Sequence, residues 1–136
     1  MNILVLCTGN SCRSQMAEGW FRHFLGNGHC VCSAGVSPSS VHPMAIQVMA
    51  EAGVDISQQE STHVDVYLAD EFDHVITVCD HARETCPIIP GAASTVHHSF
   101  SDPAIFSGTE EEVRSAFRVI RDEIREYCRE FIAGTA

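Results

Sequence analysis

The chain has 136 residues, 45% of them hydrophobic and 19% charged, which predicts one folded domain over residues 1–136 and excludes extensive disorder. A formal net charge of −10 disfavours nucleic acid and anionic membranes as partners, and no apolar run approaches the roughly 20 residues that cross a bilayer. All eight basic residues are arginine, so a lysine-containing nucleotide-binding loop and Schiff-base chemistry are excluded.

The number of cysteines and the N-terminal sequence together bear on the expected compartment. Seven cysteines, an odd number, argue against a fully paired disulfide framework. The N-terminus has no basic leader followed by a long apolar segment, so we expect a cytoplasmic protein whose thiols stay reduced. Cysteines in that compartment are more often catalytic, redox-active or metal-binding than structural. We also expect a monomer, although no pattern in the sequence fixes the oligomeric state.

Strands and helices alternate along the chain. In order, the predicted elements are a buried strand at 3–6, a helix at 14–25, a strand at 29–33, a helix at 43–52, a short helix at 60–69, and strands at 75–79 and 95–98. The last helix is predicted to begin after Thr109, which caps it, and to bury a stripe at spacings of three and four residues: Val113, Phe117, Ile120, Ile124, Cys128 and Phe131. Strands separated by helices predict an α/β fold whose parallel sheet is covered on both faces.

The octapeptide Cys-Thr-Gly-Asn-Ser-Cys-Arg-Ser, residues 7–14, joins the first strand to the first helix. Such a junction directs loop N–H groups and a helix N-terminus at one point, which favours an anion there. Arg13 is expected to hold two oxygens of a tetrahedral oxyanion, and the positive surroundings are expected to lower the pKa of Cys7 and make it a nucleophile. Ser14 is expected to donate a hydrogen bond to that sulfur. The alternative is that Cys7 is an inert core cysteine and Arg13 a surface charge.

Together with the residues that follow it as far as Trp20, this loop resembles the signature of the low-molecular-weight protein tyrosine phosphatase fold family, and in particular of its thioredoxin-coupled arsenate reductases. The resemblance runs along nearly the whole chain. It implies a single three-layer domain with four parallel strands in the flavodoxin-like order 2-1-3-4 and the anion-binding loop after the first strand. It also implies that Asn10 bonds across the loop and holds its shape. The residues then expected to bind the oxyanion are Thr8, Gly9, Asn10, Ser11, Cys12, Arg13 and Ser14.

A second group of cysteines follows the third predicted strand. Cys79 ends that strand, and Cys86 comes seven residues later. Because the carboxyl ends of parallel strands meet at one edge of a sheet, Cys79 is expected within reach of Cys7. If the segment after Cys79 is helical, the two cysteines are roughly 10 Å apart, and a disulfide, which needs Cα atoms within about 7 Å, requires that segment to unwind. The alternatives are a buried strand residue at Cys79, an incidental thiol at Cys86, or a metal pair, which the spacing disfavours.

Asp102 precedes Pro103 in a loop after the fourth predicted strand. Pro103 holds Asp102 extended, and a carboxylic acid in such a loop can protonate a leaving oxygen. An Asp-Pro pair alone is a common turn. Beside the anion-binding loop it resembles the general acid of the family.

Two further cysteine signals are weaker. Cys12 lies inside the loop, where it is a candidate oxidation partner for Cys7. The run His-Cys-Val-Cys at residues 29–32 contains metal-ligand residue types, but its alternation on a strand favours core packing over a metal site.

The resemblance also implies a potassium ion near Asn10, Glu18 and Ser33, three positions that match. The further acidic and threonine ligands, expected near Glu60 and Thr62, are exchanged in type, so the sequence leaves this cation site open.

The activity that the resemblance implies is the reduction of arsenate to arsenite. Cys7 attacks arsenate held by Arg13, Asp102 protonates the departing hydroxyl, Cys79 displaces arsenite by attacking Cys7, and Cys86 moves the disulfide outward for reduction by thioredoxin. No metal or organic cofactor is required, and phosphate and sulfate are expected to bind as mimics of arsenate. Three alternatives remain: a phosphatase acting through a phosphocysteine, a reductase recycled by glutaredoxin and glutathione, and a non-catalytic oxyanion or redox sensor.

Overall fold

The computed structural model describes residues 1–79 and 89–135. Its β-strands are β1 (Asn2–Cys7), β2 (Cys30–Gly35), β3 (Phe72–Thr77) and β4 (Ala92–His97). Its α-helices are α1 (Arg13–Leu25), α2 (Pro43–Glu51) and α3 (Glu110–Thr135), and two short 3-10 helices cover Val64–Tyr67 and Pro103–Ile105.

The four strands form one parallel sheet in the order β2-β1-β3-β4, which confirms the predicted α/β fold and strand order. Cys7 at the end of β1 lies opposite Gly35 of β2, and Leu6 lies opposite Thr77 of β3, which in turn lies opposite His97 of β4. The carboxyl ends of the strands therefore share one edge of the sheet, which is where ligands bind in parallel sheets of this kind. The segments that leave this edge are residues 8–12, 36–42, 78–79 and 98–102.

One face of the sheet packs against the helices. Ile3 and Val5 of β1 lie in a cluster with Phe21 of α1, Met49 of α2 and Phe117 of α3, and all five side chains are fully buried. Burial of such side chains is the main favourable contribution to folding, at about 1.5–3 kcal/mol each. The three described helices are thereby held on the sheet as one layer.

The opposite face carries a second, smaller cluster. Leu4 and Leu6 of β1 pack there with Val75 of β3, Val64 of the first 3-10 helix, and Ile89. Successive side chains of a strand point to opposite faces, so a strand that is buried on both faces has to be almost continuously apolar, as β1 is. Packing on both faces fixes the end of β1, and with it the position of Cys7.

The ends and the buried face of α3 follow the sequence pattern. Thr109 and Glu112 cap each other: the Glu112 N–H donates to Thr109 Oγ1 at 3.1 Å, and the Thr109 N–H donates to Glu112 Oε1 at 3.3 Å. The predicted stripe is confirmed, with Phe117, Ile120, Ile124 and Cys128 buried and Val113 and Phe131 partly buried against the same cluster. Neither α3 nor any other helix in the described parts of the chain is long and apolar enough to cross a membrane.

The strand boundaries differ from the sequence-based prediction. β3 begins at Phe72 and ends at Thr77, so Cys79 lies two residues beyond the strand instead of ending it. β4 begins at Ala92, three residues earlier than predicted, because Phe72 and Ala92 are paired at the start of the two strands. Asp73 and His74 in β3, and the two alanines that begin β4, hide these pairings from a pattern of large apolar residues.

The predicted helix over residues 60–69 is wrong. Only Val64–Tyr67 forms a 3-10 turn, which the His63 ring caps by accepting the Asp65 N–H. The residues just before it run along the sheet edge, where the Gly35 N–H donates to the Thr62 carbonyl. That contact keeps the segment extended and leaves no length for a regular helix.

Candidate active site

The loop between β1 and α1 turns its backbone carbonyls outward. Each carbonyl oxygen from residue 8 to residue 11 accepts a hydrogen bond from outside the loop; the donors are the backbone N–H groups of Ser37, Ser39 and His42 and the side chains of Gln15 and Ser61. The peptide N–H groups consequently face the space above Cys7, toward which the N-terminus of α1 also points. Within the described residues, the side chain at the N-cap position, Cys12, makes no capping hydrogen bond. The geometry suits a tetrahedral oxyanion seated above Cys7.

Asn10 holds the centre of this loop. Its φ of 46° lies in the left-handed region, which asparagine tolerates better than most residues. The fully buried side chain donates from Nδ2 to Ser14 Oγ at 2.7 Å and to Ser33 Oγ at 2.9 Å, and its Oδ1 accepts the Thr62 N–H at 2.9 Å. The expected bond across the loop is present, and it also ties the loop to α1, to β2 and to the segment beyond α2.

Gly35 allows the loop to lie close to β2. A Cβ atom at this position would be 2.5 Å from the carbonyl oxygen of Thr8 and 2.8 Å from that of Cys7. Both obstacles are backbone atoms, so the loop itself would have to shift to admit any side chain.

Cys7 is buried at the floor of the loop between two different neighbours. The Ser14 hydroxyl donates to Cys7 Sγ at 3.2 Å, as predicted, and the Ser14 backbone N–H also bonds to this sulfur. On the other side, the Cys79 thiol is in hydrogen-bonding contact with it. That contact and burial raise the pKa of Cys7 well above its usual value, while the Ser14 donors oppose the rise. The expectation of a lowered pKa is therefore wrong while the two sulfurs touch, because charge on one buried thiol is costly beside another.

Arg13 reaches over the loop from the first turn of α1. Its Nη1 donates to the Phe100 carbonyl at 3.1 Å, and its Nη2 is 3.5 Å from Asp102 Oδ2. Its Nε is buried and has no acceptor among the described residues. A buried N–H without an acceptor costs about 1–3 kcal/mol, so this side of the guanidinium is the one we expect an oxyanion to engage.

Asp102 lies beside Arg13 at the rim of the loop, with 29% of its side chain exposed. Its Oδ1 accepts the Ala104 N–H at 3.0 Å, which caps the 3-10 helix Pro103–Ile105, and accepts the Cys12 thiol at 3.5 Å. The Asp-Pro pair is thus both a helix cap and part of the loop's surroundings. A carboxyl group at this rim can reach an oxygen of an anion bound below it.

Cys12 is a poor oxidation partner for Cys7. Burial first, and then the charge of Asp102, raise the pKa of the Cys12 thiol to about 12. Cys12 therefore keeps its proton near neutral pH and uses it to donate to Asp102. The thiolate that disulfide exchange needs is scarce at this position.

Cys79 is buried beneath the loop on the side of β3. Besides its contact with Cys7, its sulfur lies 3.3 Å from the Thr8 hydroxyl. The structure thereby brings Cys79 to the predicted nucleophile, as the shared edge of the sheet led us to expect. Cys86, the third member of the predicted group, lies outside the described residues, so its expected role stays a prediction.

The expected potassium site is arranged differently from a cation site. Asn10 presents its N–H₂ group to Ser33, and its Oδ1 is taken by the Thr62 N–H. Glu18 is buried and accepts from Ser33 Oγ at 2.7 Å and from Arg22 Nε at 3.0 Å. Burial raises the pKa of Glu18, and the Ser33 and Arg22 donors oppose that rise. Because Arg22 already supplies the positive charge at Glu18 and Asn10 offers donors, these side chains do not fit a potassium ion.

Cys32 packs against the second, smaller cluster, as expected, whereas Cys30 does not pack into the core. They lie on one face of β2, which is an edge strand, and Cys30 is exposed while Cys32 is partly buried. Their sulfurs are 3.8 Å apart. The alternation on the strand is confirmed, but Cys30 lies at the first position of β2, where it is exposed among the described residues.

Several residues that shape the site carry no sequence signal of their own. Gly35 and Ser61 hold the loop by contacts from distant parts of the chain, and Phe100 contributes only its backbone carbonyl to Arg13. Gln15 follows the motif directly, and its position on the first turn of α1, facing back to the loop, was the one available clue.

The chain is similar to known proteins along almost its whole length. Residues 2–135 match the family described as low molecular weight phosphotyrosine protein phosphatase. The chain is 47% identical over 129 residues to the arsenate reductase of Halalkalibacterium halodurans, which covers 95% of this chain and 93% of that protein.

Solved structures show the same similarity. One, described as an arsenate reductase in the phosphate binding state, superposes with a TM-score of 0.80 at 33% identity over 100% of both chains. The thioredoxin-dependent arsenate reductase of Corynebacterium glutamicum superposes with a TM-score of 0.65 at 27% identity, over 98% of this chain and 62% of that one.

Proposed function

The chain belongs to the low molecular weight phosphotyrosine protein phosphatase family, and from that membership we propose that this enzyme reduces arsenate to arsenite by a three-cysteine relay recycled by thioredoxin. One observation carries the proposal: the thiols of Cys7 and Cys79 are in contact beneath the anion-binding loop. A phosphatase needs one thiol at this place, whereas a two-electron reduction needs two.

The loop first binds the substrate. Arsenate sits on the inward N–H groups of residues 8–14 and the N-terminus of α1, with Arg13 Nε donating to one of its oxygens. The negative charge of the anion is then offset locally, against the −10 net charge of the chain. The relatives named arsenate reductase, including one solved with phosphate, support this choice of anion.

The first chemical step joins sulfur to arsenic. The Cys7 sulfur attacks arsenic(V), an As–O bond breaks, and the departing hydroxyl leaves as water with a proton from Asp102. Cys7 reacts as the thiolate, which requires Cys79 to move off the sulfur, since their contact is the largest cause of the raised pKa of Cys7. The Ser14 hydroxyl and N–H then stabilise the thiolate.

The second step transfers the electrons. The Cys79 sulfur attacks Cys7 Sγ, the S–As bond breaks, and its electron pair stays on arsenic, which leaves as arsenite while a Cys7–Cys79 disulfide forms. Two thiols are oxidised and arsenic(V) is reduced to arsenic(III), so the electrons balance. The contact between the Cys79 and Cys7 sulfurs, with Cys79 two residues beyond the end of β3, favours the approach this step needs.

Recycling uses the third cysteine. Cys86 attacks Cys79, which frees Cys7 and forms a Cys79–Cys86 disulfide, and the dithiol of thioredoxin reduces that bond. The family resemblance and the similarity to a thioredoxin-dependent arsenate reductase support this step. The chemistry requires no metal or organic cofactor, and we expect it to occur in the cytoplasm, where thioredoxin keeps thiols reduced.

A second candidate is a phosphatase that acts through a phosphocysteine. The loop, Arg13 and Asp102 suit a phosphoester as well as they suit arsenate, because both are tetrahedral anions that need charge stabilisation and a general acid. The buried Cys79 thiol beside the nucleophile disfavours it, since a second thiol has no part in phosphoester hydrolysis.

The decisive experiment measures NADPH consumption with arsenate, thioredoxin and thioredoxin reductase. The wild type is expected to turn over continuously, whereas Cys86→Ser is expected to release about one equivalent of arsenite and then stop. Cys128→Ala, which removes a buried thiol of α3 whose sulfur lies 3.9 Å from the Ala17 carbonyl oxygen, serves as the control and is expected to turn over.

Two outcomes would contradict the proposal. Continuous turnover of Cys86→Ser with thioredoxin would remove the third cysteine from the relay. Hydrolysis of an aryl phosphate much faster than arsenate reduction would favour the phosphatase.

A further inference from the structure

The edge strand β2 carries a second pair of neighbouring thiols. Cys30 and Cys32 alternate with Val31, so both point to the same face, and their Sγ atoms are 3.8 Å apart. Cys30 is exposed and Cys32 is partly buried, so a small solute reaches the pair from solvent. The proposed relay does not use either residue.

The spacing favours chelation over a disulfide. Residues two apart on a strand have Cα atoms about 6.6 Å apart, which is near the upper limit of roughly 6.8 Å for a disulfide. The ladder that pairs Cys30 with Asn2 and Cys32 with Leu4 holds the backbone at that separation. By contrast, two thiolates that bind the same tetrahedral zinc ion at about 2.3 Å have sulfur atoms about 3.8 Å apart. A pyramidal arsenic(III) with bonds of similar length needs a comparable or slightly smaller distance between the two sulfur atoms.

The number of available protein ligands discriminates between zinc and trivalent arsenic. In residues 1–79 and 89–135, no cluster of three or more Cys, His, Asp or Glu side chains could hold a metal ion. A structural or catalytic zinc takes three or four protein ligands, so two thiols alone suit it poorly. Trivalent arsenic is soft, prefers sulfur, and is satisfied by two thiolates and one hydroxyl.

We propose that Cys30 and Cys32 form a dithiol site that chelates trivalent arsenic, the product of the arsenate reduction proposed above. The identity of the ligand rests on that proposed function, whereas the dithiol geometry does not. The site is separate from the active site: β2 runs three residues from Cys32 to Gly35, the partner of Cys7, which is about 10 Å along the strand.

The surroundings of Cys32 suit a neutral hydroxylated ligand. Cys32 borders a pocket of 390 Å³ whose polar lining includes Glu18, Arg22, Thr62 and Tyr67. The Tyr67 hydroxyl bonds to the Cys32 sulfur. Arsenous acid carries no charge near neutral pH, so Glu18 does not repel it, and the hydroxyl left on arsenic finds donors and acceptors in the pocket.

The binding step balances without any oxidant or reductant. Two As–S bonds form and two As–O bonds break, and each departing hydroxyl takes a thiol proton and leaves as water. Arsenic stays trivalent and both sulfurs stay reduced. Because the thiol protons leave with the hydroxyls, the step does not depend on a preformed thiolate at Cys32.

The test isolates this pair from the relay thiols. Full-length protein with Cys7→Ser, Cys79→Ser and Cys86→Ser is titrated with sodium arsenite; bound arsenic is counted by mass spectrometry and affinity is measured by competition with 2,3-dimercaptopropanol. We expect one bound arsenic. Adding either Cys30→Ser or Cys32→Ser is expected to weaken binding about 100-fold or more, because a chelate becomes a single bond. Adding Cys128→Ala is the matched control and should leave the affinity unchanged.

A second measurement tests the proposal even if the triple variant does not fold. In the wild type, arsenite is expected to protect Cys30 and Cys32 together from alkylation, as mapped by peptide mass spectrometry. One bound arsenic in the variant that also lacks both edge thiols, no arsenic in the triple variant, or tighter binding of zinc chloride than of arsenite would each overturn the proposal. None of these results depends on turnover, so a failure here is distinct from a failure of the relay.

Discussion

The two thiol pairs, Cys7 with Cys79 and Cys30 with Cys32, differ in burial and in their place on the sheet. Cys7 and Cys79 are buried at the carboxyl edge of the sheet, beneath a loop whose N–H groups face inward. Cys30 and Cys32 lie on an edge strand at its amino end, where Cys30 is exposed. Both pairs hold two sulfurs close together, yet only the first has a place for an anion.

The difference teaches that the surroundings of two neighbouring thiols decide what those thiols can do. Cys79 lies two residues beyond β3, and its sulfur is in hydrogen-bonding contact with that of Cys7. Cys30 and Cys32 are both paired to β1 and keep their separation. Sulfurs that can close on each other suit electron transfer, and sulfurs held apart suit a shared ligand.

The largest effect is expected from removing the nucleophile. Cys7→Ser should lower arsenate turnover by on the order of 10⁴-fold or more, because Cys7 is the thiol that bonds to arsenic in the proposed first step. Coupled NADPH consumption measures it, with Cys128→Ala as the control. Residual turnover within tenfold of the wild type would show that another cysteine, and so another pair, does the chemistry.

The next effect concerns the anion that distinguishes the first pair. Arg13→Lys loses the planar fork while keeping the charge, and kcat/KM for arsenate should fall about 10- to 100-fold, the value of one charge-assisted hydrogen bond. Arg125→Lys is the matched control, because Arg125 lies over the Trp20 ring on the outer face, away from the loop. Inhibition by phosphate should weaken in parallel in Arg13→Lys; unchanged phosphate inhibition would place the anion elsewhere.

A moderate effect on stability is expected at Gly35 of β2, the strand that carries Cys30 and Cys32 and lies beside Cys7. Gly35→Ala places a Cβ 2.5 Å from the Thr8 carbonyl oxygen, and it should lower the free energy of unfolding by about 1–3 kcal/mol. Gly134→Ala, with open space around its added Cβ, is the control and should be neutral or slightly stabilising. Urea unfolding of both variants compares them. Equal stability would mean that the loop yields to β2 without cost.

A smaller effect concerns the protonation of Cys7. Cys79→Ala removes the largest cause of the raised pKa, so the pKa of Cys7 should fall and its thiolate fraction at neutral pH should rise. Iodoacetamide labelling of Cys7 against pH, followed by peptide mass spectrometry, measures the shift. Cys32→Ala should leave the Cys7 profile where it is. A Cys7 profile that moves to higher pH in Cys79→Ala would reverse the assigned cause.

The smallest effect concerns the edge pair itself. Burial first, and then the charge of Cys30, raise the pKa of Cys32 to about 11, above the usual 9.0 of a thiol. The corresponding stability is present below pH 9 and is lost as the pH rises toward 11. Alkylation of Cys32 at pH 9 should therefore be slower in the folded protein than in urea. Equal rates would show that the thiol is not held by its surroundings.

Much of the fold was predictable because β1 and α3 follow simple periods. β1 is apolar on both faces, and the apolar residues of α3 recur at spacings of three and four residues. The predicted positions and buried faces of both elements were therefore correct. The pairing of Phe72 with Ala92 was missed because the polar Asp73 and His74 follow Phe72, and because alanine at the start of β4 is a weak strand signal. The helix expected over residues 60–69 failed for a similar reason, since a contact from Gly35 keeps that segment extended.

The site divides in the same way. Local chemistry in residues 7–14 predicted the Ser14 bond to Cys7, and the common edge of parallel strands predicted the approach of Cys79. The raised pKa of Cys7 and the exposure of Cys30 depend on what covers each sulfur in three dimensions, which no spacing along the chain records.

The outward carbonyls of the loop have a consequence for competition between anions. Their hydrogen bonds to the rest of the fold fix the loop before any anion binds, so the anion-binding site is preorganised. A preformed set of N–H groups selects anions by size and charge, and arsenate and phosphate differ little in either property. Discrimination then falls to the chemistry after binding, since phosphate departs unchanged and arsenate accepts an electron pair. The rate of arsenate reduction consequently follows the ratio of the two anions in the surroundings, not the amount of arsenate alone.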